Sequence, residues 1–119
     1  MHELSIAQSI VELAEREALN HRAVSIEELE LEIGDLAGID WLALEFALES
    51  AIKGSLLENA RVIRQRIAGE GRCGDCENQF PAENLLTACP FCGSYMVRVI
   101  KGKELRIKSL VVNDKGIKQ

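Results

Sequence analysis

Residues 73–92 read CGDCENQFPAENLLTACPFC and contain all four cysteines of the chain. The cysteines form two Cys-X-X-Cys pairs, Cys73–Cys76 and Cys89–Cys92, with residues 77–88 between them. Two residues within a pair allow a tight turn to direct both sulfurs at one point, and two such turns supply the four thiolates of a tetrahedral Zn²⁺ site. Because this shell is complete without histidine, carboxylate or water, the spacing predicts one structural zinc ion per chain and no catalytic metal.

Three other uses of these cysteines compete with zinc. A redox-active Cys-X-X-Cys pair would need a thioredoxin-like βαβ context, which the sequence does not predict. Two disulfides would need an oxidising compartment. A rubredoxin-like iron site shares the Cys-X-X-Cys spacing and the Cys-Pro-X-Cys-Gly pattern, so iron remains the main alternative to zinc.

Two segments before the cysteines have the apolar spacing of helices. Residues 3 to about 19 carry apolar side chains at positions i, i+3 and i+4, which predicts an amphipathic helix. A second helix is predicted to begin near Asp40, a good N-cap residue, and to end near Gly54, which fits a C-terminal stop.

Three segments have the alternation or the β-branched composition of strands. Residues 25–33 alternate apolar and acidic side chains, residues 104–112 alternate apolar and basic ones, and residues 60–67 are basic and β-branched. Opposite charges across a strand pair add modest stability. We therefore expect an α+β fold, in which a small antiparallel three-stranded sheet is covered by the two helices.

The cysteine segment lies between two of the predicted strands, so it is an insertion and not an appended tail. Gly69, Gly71 and Gly102 lie at its edges, as expected for positions where the chain changes direction. The sequence predicts a zinc-ribbon module at 69–103 within an α/β domain made of 1–68 and 104–119.

Composition and charge exclude several functions. The formal net charge is −5, which argues against nucleic-acid binding, because that affinity comes mainly from clustered Lys and Arg. No Ser/His/Asp set, phosphate loop or HExxH motif is present, so we expect no enzyme activity. The sequence has neither an apolar run of about 18 residues nor a signal peptide, so a cytoplasmic protein with no membrane partner is expected.

The first three residues, Met1-His2-Glu3, have the chemistry of a metal site. A terminal amine, two amide nitrogens and the His2 imidazole favour Ni²⁺ or Cu²⁺ in square-planar geometry over tetrahedral Zn²⁺. Glu3 can add a carboxylate oxygen. A histidine near a chain start is more often simply solvated, so this feature alone does not establish a site.

Several motifs together resemble the HypA/HybF family of hydrogenase nickel-incorporation proteins. They are MHELSIAQSIVELAE at the start, LEIGDLAGID and ALEFALESAIKGSLLENA in the middle, the Cys-X-X-Cys…CPFCGS segment, and ELRIKSLVV near the end. The motifs span nearly the whole chain in the family's order and spacing.

The resemblance implies a nickel metallochaperone that delivers Ni²⁺, as labile cargo, to the large subunit of [NiFe]-hydrogenase. It implies nickel binding by His2, assisted by the Met1 amine and Glu3, with Asp40 as a further candidate. It assigns zinc to Cys73, Cys76, Cys89 and Cys92. The implied partners are a GTPase of the maturation pathway, the hydrogenase large subunit and, in some organisms, urease maturation proteins, with the chain a monomer or weak homodimer.

One position departs from the family pattern, and one alternative function stays open. In the family that this chain resembles, the second cysteine turn often carries a histidine, where this chain has Phe91, so we do not expect the metal to be coupled to pH through an imidazole at that position. The alternative function is a zinc-ribbon adaptor for protein–protein contact, and less so for nucleic acid, without labile metal.

Overall fold

The structure, a computed structural model, describes residues 3–114. In chain order its elements are helix α1 (Glu3–Asn20), strand β1 (Ser25–Gly34), helix α2 (Trp41–Ala51) and strands β2 (Arg61–Ile67), β3 (Glu70–Cys73), β4 (Gln79–Pro81), β5 (Val97–Lys101) and β6 (Leu105–Asn113). The predicted helices and the three long strands are all present. Strands β3, β4 and β5, within the cysteine segment, have no counterpart among the predicted elements.

Both helices follow from local sequence signals. Glu3 lies in the first turn of α1, where a carboxylate is favoured by the helix dipole. Asp40 is the N-cap of α2, and its Oδ1 accepts a hydrogen bond from the backbone N–H of Ala43 at 3.1 Å. The helix ends at Ala51, and Gly54 follows in a turn with φ of +77°, a conformation that favours glycine.

The first sheet has the strand order β2-β1-β6, so the acidic strand lies between the two basic ones. Strands β1 and β6 are antiparallel, because Val24 N–H donates to Asn113 O at one end and Gly34 N–H donates to Glu104 O at the other. Ion pairs cross both strand pairs, at Arg61–Glu28 (3.8 Å) and Lys108–Glu30 (3.7 Å). The predicted combination of two helices, a three-stranded sheet and an inserted module is confirmed.

The direction of β2 differs from the antiparallel arrangement that the charge pattern predicts. Arg61, at the start of β2, pairs with Glu28, and Ile67 O, at its end, accepts from Asp35 N–H just beyond β1. These contacts require β2 to run parallel to β1. A parallel pair needs a long crossover connection, and the segment that contains α2 supplies it, so the sheet is mixed.

The chain divides into two compact units, and β1, β2 and β6 each contribute residues to both. Within residues 3–114, the first unit comprises 3–31, 39–64 and 106–114, and the second comprises 32–38 and 65–105. In the first unit, α1 packs on α2. Its buried side chains come mainly from the two helices and β1: Ile6, Ala7, Ile10, Val11, Ala14, Ala18, Ile26, Leu29, Leu31, Leu44, Ala47 and Leu48.

The second unit contains the second sheet, with strand order β4-β3-β5 and both pairs antiparallel. Around the cysteines, a small buried cluster consists of Cys73, Phe80 and Cys89, with Cys76 and Val97 partly buried against it. A cluster with so few apolar side chains contributes little hydrophobic stabilisation, so the surroundings of the cysteines are the part of the chain that a bound metal would stabilise most.

At three glycines, backbone segments of the second unit lie so close together that a side chain would not fit between them. A Cβ at Gly34 would lie 1.9 Å from the carbonyl oxygen of Gly102, and a Cβ at Gly69 would lie 2.3 Å from Ala82 O. Gly102 itself has φ of +112°. The Leu36 N–H donates to Gly102 O at 2.6 Å, so the turn after β1 is hydrogen-bonded to the chain that leaves β5.

We expect Gly34→Ala to destabilise the protein by about 2–3 kcal/mol, because the new methyl group meets backbone atoms that cannot move aside independently. Gly38→Ala is the matched control. Gly38 has φ of +74° but open space around its Cβ position, so it should cost only about 1 kcal/mol of left-handed strain. Urea unfolding of the metal-loaded protein measures both. An equal or smaller cost at Gly34 would contradict the close crossing.

Candidate metal centre

The four cysteines converge on one point. Their Sγ atoms all lie within 4.8 Å of one another, and none of the four forms a disulfide. Cys73 and Cys89 are buried, Cys76 is half-buried and Cys92 is exposed. Within residues 3–114, no other group of three or more His, Cys, Asp or Glu side chains brings its ligand atoms close enough to hold a metal ion.

The first cysteine pair lies where β3 ends in a tight turn. The turn is closed by backbone hydrogen bonds from Glu77 N–H to Cys73 O and from Cys73 N–H to Asn78 O, both 3.0 Å. Glu77, which follows the turn, has a φ of +65° and is therefore in the left-handed region. The Cys73 sulfur accepts hydrogen bonds from the backbone N–H groups of Asp75 at 3.3 Å and of Cys76 at 3.4 Å. These donors stabilise a thiolate at Cys73.

The second pair repeats this arrangement. Gly93 N–H donates to Cys89 O at 2.8 Å, and Gly93 has φ of +79°. Phe91 N–H donates to the Cys89 sulfur at 3.4 Å. The two turns therefore present equivalent thiolate sites that face each other, as four-thiolate coordination requires. Asn78 adds a side-chain donor, since its Nδ2 lies 3.4 Å from the Cys76 sulfur.

The thiols differ in pKa because they share one small space. The N–H of Cys76, aided by that of Asp75 and by the Cys92 thiol, lowers the pKa of Cys73 to about 6, although burial opposes this. For Cys89, burial is the largest influence and opposes ionisation, but the N–H groups of Cys92 and Phe91 outweigh it and lower the pKa.

Cys92 is affected in the opposite direction. The N–H of Ser94 lowers its pKa, but the neighbouring thiols, Cys73 first, together with burial raise the pKa to about 12. Four thiolates cannot crowd together without a compensating positive charge. A bound divalent cation supplies that charge and deprotonates coordinating thiols. The donor set of four sulfurs fits zinc or iron and is unsuited to hard, oxygen-seeking cations.

The predicted nickel ligands lie only partly within the structure. Met1 and His2 are outside the described residues. Glu3 and Asp40 lie close together, because the Glu3 carboxylate oxygen Oε2 accepts a hydrogen bond from Asp40 N–H at 3.0 Å. That N–H, followed by Glu3's own backbone N–H, lowers the pKa of the Glu3 carboxyl group. The start of α1 is thereby tied to the start of α2.

Sequence reasoning missed three contacts around these residues. They are the bond from Asp40 N–H to Glu3, the amide of Asn78 on the Cys76 sulfur, and a hydrogen bond from Ser94 to Asp75. The first and third join residues distant in the chain, so no local sequence pattern signals them. Phe91 lies in the second turn with its side chain exposed, so this turn offers no imidazole beside its thiolates.

No helix within residues 3–114 has the length and apolar character needed to cross a bilayer.

A family model described as "Hydrogenase/urease nickel incorporation, metallochaperone, hypA" matches residues 1–112. The match therefore includes both the start of the chain and the four cysteines.

Individual proteins are similar to this chain over nearly its full length. A hydrogenase maturation factor HypA from Parabacteroides distasonis is 62% identical over 112 residues, which cover 94% of this chain and 97% of that protein. A protein of the same name from Geobacter metallireducens is 44% identical over 112 residues, with coverages of 94% and 99%. The solution structure of the Ni metallochaperone HypA from Helicobacter pylori is similar with a TM-score of 0.70 and 28% identity, covering 97% of this chain and 100% of that one.

Proposed function

Since the chain belongs to the HypA family of hydrogenase/urease nickel-incorporation metallochaperones, we propose that it binds Ni²⁺ at its N-terminus and delivers it to the large subunit of [NiFe]-hydrogenase. It is a maturation factor and not an enzyme. The observation that carries the proposal is the family match over residues 1–112, which begins at Met1 and so includes every predicted nickel ligand.

The proposed nickel ligands are the Met1 amine, the amide and imidazole nitrogens of His2, and Glu3. A nitrogen-rich set of this kind favours square-planar Ni²⁺. The contact between Glu3 and Asp40 supports the site, because it fixes the first residue of α1 next to the N-cap of α2. A site made of only a few residues suits a carrier that has to release its metal.

Asp40 is proposed as a further nickel ligand, and its capping role affects how it can be tested. Its Oδ1 is used by Ala43 N–H, which leaves Oδ2 for the metal. Removal of the side chain would cost about 1 kcal/mol of helix stability through loss of the cap. Asp40→Ser retains the cap but removes the carboxylate, so it isolates any contribution to nickel binding.

We propose that Cys73, Cys76, Cys89 and Cys92 hold one structural zinc ion within a module of residues 69–103, inserted into a nickel-binding domain of residues 1–68 and 104–119. A closed four-thiolate shell supplies folding energy and no chemistry. Iron remains the alternative metal, because the same donor set suits it. Metal analysis of the purified protein separates the two.

The family also suggests the cellular setting. We propose that the protein acts in the cytoplasm with a GTPase of the maturation pathway and the hydrogenase large subunit as partners. Urease maturation proteins are further candidate partners, in keeping with the family's description. We expect the chain to be a monomer or weak homodimer, without nucleic-acid or membrane partners.

Nickel titration of tagless protein tests the proposed function. We expect one zinc and one exchangeable nickel per chain in the unmodified protein. His2→Ala should lose the nickel and keep the zinc, because the two sites share no ligand. His21→Ala is the matched control, since His21 is an exposed histidine near the C-terminal end of α1. Zinc without nickel in the unmodified protein would leave only the adaptor function.

A further inference from the structure

The two cysteine turns are joined by a side-chain hydrogen bond that does not involve sulfur. Asp75 lies inside the first turn, between Cys73 and Cys76. Ser94 directly follows the second turn, and its hydroxyl donates to Asp75 Oδ2 at 2.5 Å. The same hydroxyl accepts a hydrogen bond from Met96 N–H at 3.0 Å. Ser94 is half-buried, whereas Asp75 and Met96 are exposed.

Backbone hydrogen bonds reinforce this bridge on both sides. Gly74 N–H donates to Met96 O at 2.6 Å, and Cys89 N–H donates to Ser94 O at 2.8 Å. A Cβ at Gly74 would lie 3.1 Å from Met96 O, so the first turn approaches the chain after the second turn closely. Residues 74–75 are thus fixed against residues 94–96 by contacts that need no metal.

The bridge also reaches a metal-binding sulfur through Asp75. The backbone N–H of Asp75 donates to the Cys73 sulfur, while its carboxylate is held by Ser94. Fixing the carboxylate therefore fixes the direction of a donor to the thiolate. Hydrogen bonds outside the coordination shell orient metal ligands, and their loss commonly costs 10–100-fold in metal affinity.

We propose that Asp75 and Ser94 are positioning residues of the metal centre, which hold the two turns in register so that the four sulfurs remain convergent, and which thereby slow the loss of the metal. The inference rests on the proposed zinc site and concerns residues beyond its ligands. Ser94 follows the second turn in the chain. By this mechanism, it nevertheless acts on the metal through its hydrogen bond to Asp75 in the first turn.

The charge on Asp75 is consistent with this role. A divalent cation with four thiolates has a net charge of about −2, so a nearby carboxylate is repelled and has no electrostatic reason to lie there. Asp75 forms no ion pair with any residue of 3–114, whereas Glu77 pairs with Arg72 at 3.5 Å. The Asp75 carboxylate is therefore held in place by a hydrogen bond from the Ser94 hydroxyl and not by an ion pair with a cationic side chain.

The test is zinc transfer from the loaded, full-length protein to a chromophoric chelator, together with the zinc dissociation constant from competition. We expect Ser94→Ala to release zinc about tenfold faster and to bind it about tenfold more weakly. Ser94→Thr keeps the hydroxyl and should stay within about twofold of the unmodified protein. Ser9→Ala, at an exposed position on α1, controls for the substitution itself.

A double-mutant cycle separates the bridge from a general loss of structure. If the two side chains act through their mutual bond, Asp75→Ala combined with Ser94→Ala should be no worse than the more severe single variant. Release rates for Ser94→Ala within twofold of the unmodified protein, additive effects in the cycle, or failure of Ser94→Thr to restore the rate would each overturn the inference.

The two proposals can fail separately. The zinc content of the unmodified protein tests the metal site before any variant is made, and absence of zinc there would overturn both. Normal zinc binding with no effect of Ser94→Ala would overturn only the positioning role. If Ser94→Ala does not fold, Asp75→Ala on its own carries the test, because it breaks the same bridge and leaves the bond from Met96 N–H to Ser94 intact.

Discussion

A single glycine added before Met1 is expected to weaken nickel binding by more than about 100-fold while leaving zinc unchanged. The extension converts the terminal amine into an amide and moves His2 away from the second position, so two nitrogen ligands lose their geometry. Changes outside the coordination shell alone cost 10–100-fold in metal affinity, and loss of a direct ligand should exceed that. The helix start should be preserved, because Glu3 still has Asp40 N–H as its partner.

The measurement is calorimetric or competitive nickel titration of the extended and unextended chains, each produced without a tag. A glycine added after Gln119 is the matched control, since it adds the same residue at the opposite end. Zinc content measured on the same samples reports on the four cysteines. Nickel affinity unchanged by the extension, but lost in His2→Ala, would reject the amine as a ligand and leave an imidazole-centred site.

The helices and the long strands were predictable because their sequence periods are clear. In β1, Leu29, Leu31 and Ile33 alternate with acidic residues, and all three are fully buried in the structure. Asp40 was identified as an N-cap from residue type alone, and its side chain makes the expected bond. Where one face of a helix or strand is buried, the spacing of its apolar residues indicates the type of element and the face that is buried.

The direction of β2 was not predictable from charge. Complementary charges indicate which strands are neighbours, but an arginine can reach a glutamate whether the strands run parallel or antiparallel. Arg61 pairs with Glu28 in the parallel arrangement. The length of the connection through α2 was the available signal, since a parallel neighbour requires such a crossover.

The strands of the cysteine segment lack any comparable pattern. Strand β4 has only three residues, Gln79–Pro81. Strand β5 has an irregularity opposite Glu70 and Gly71, where Ile100 is inserted into the register, and this breaks the alternation. A bound metal can replace much of the core that such strands would otherwise need.

The candidate site, like the fold, was only partly predictable from the sequence. The convergence of four cysteines follows from spacing, because each pair is a local turn and two turns complete a shell. The contacts of Ser94 with Asp75 and of Glu3 with Asp40 depend on how distant segments come together. Spacing therefore identifies the cysteines that converge, whereas the side chains that hold them and the helix starts in place required the structure.

The other large effect is expected at Cys73. Cys73→Ser should abolish stable zinc binding and unfold the cysteine segment, because a serine hydroxyl is a poor zinc ligand and binding by a structural four-ligand site amounts to about 10–16 kcal/mol of folding free energy. Both helices belong to the first unit. Helical circular dichroism should therefore persist while the amide resonances of residues 70–101 lose their dispersion.

Cys92→Ser is the informative comparison, because Cys92 is exposed and Cys73 is 1% exposed within the small core beside Phe80. Both variants should lose zinc, since each removes one of four ligands. Cys92→Ser should then resemble unmodified protein stripped of metal by a chelator. Cys73→Ser should resemble the same stripped protein, because without the metal the cysteine segment is unfolded and the serine hydroxyl has no core to disturb. Full zinc affinity in Cys92→Ser would exclude Cys92 as a ligand, and a cysteine segment that stays folded in zinc-free Cys92→Ser would show that Cys73→Ser unfolds it through the core and not through loss of the metal.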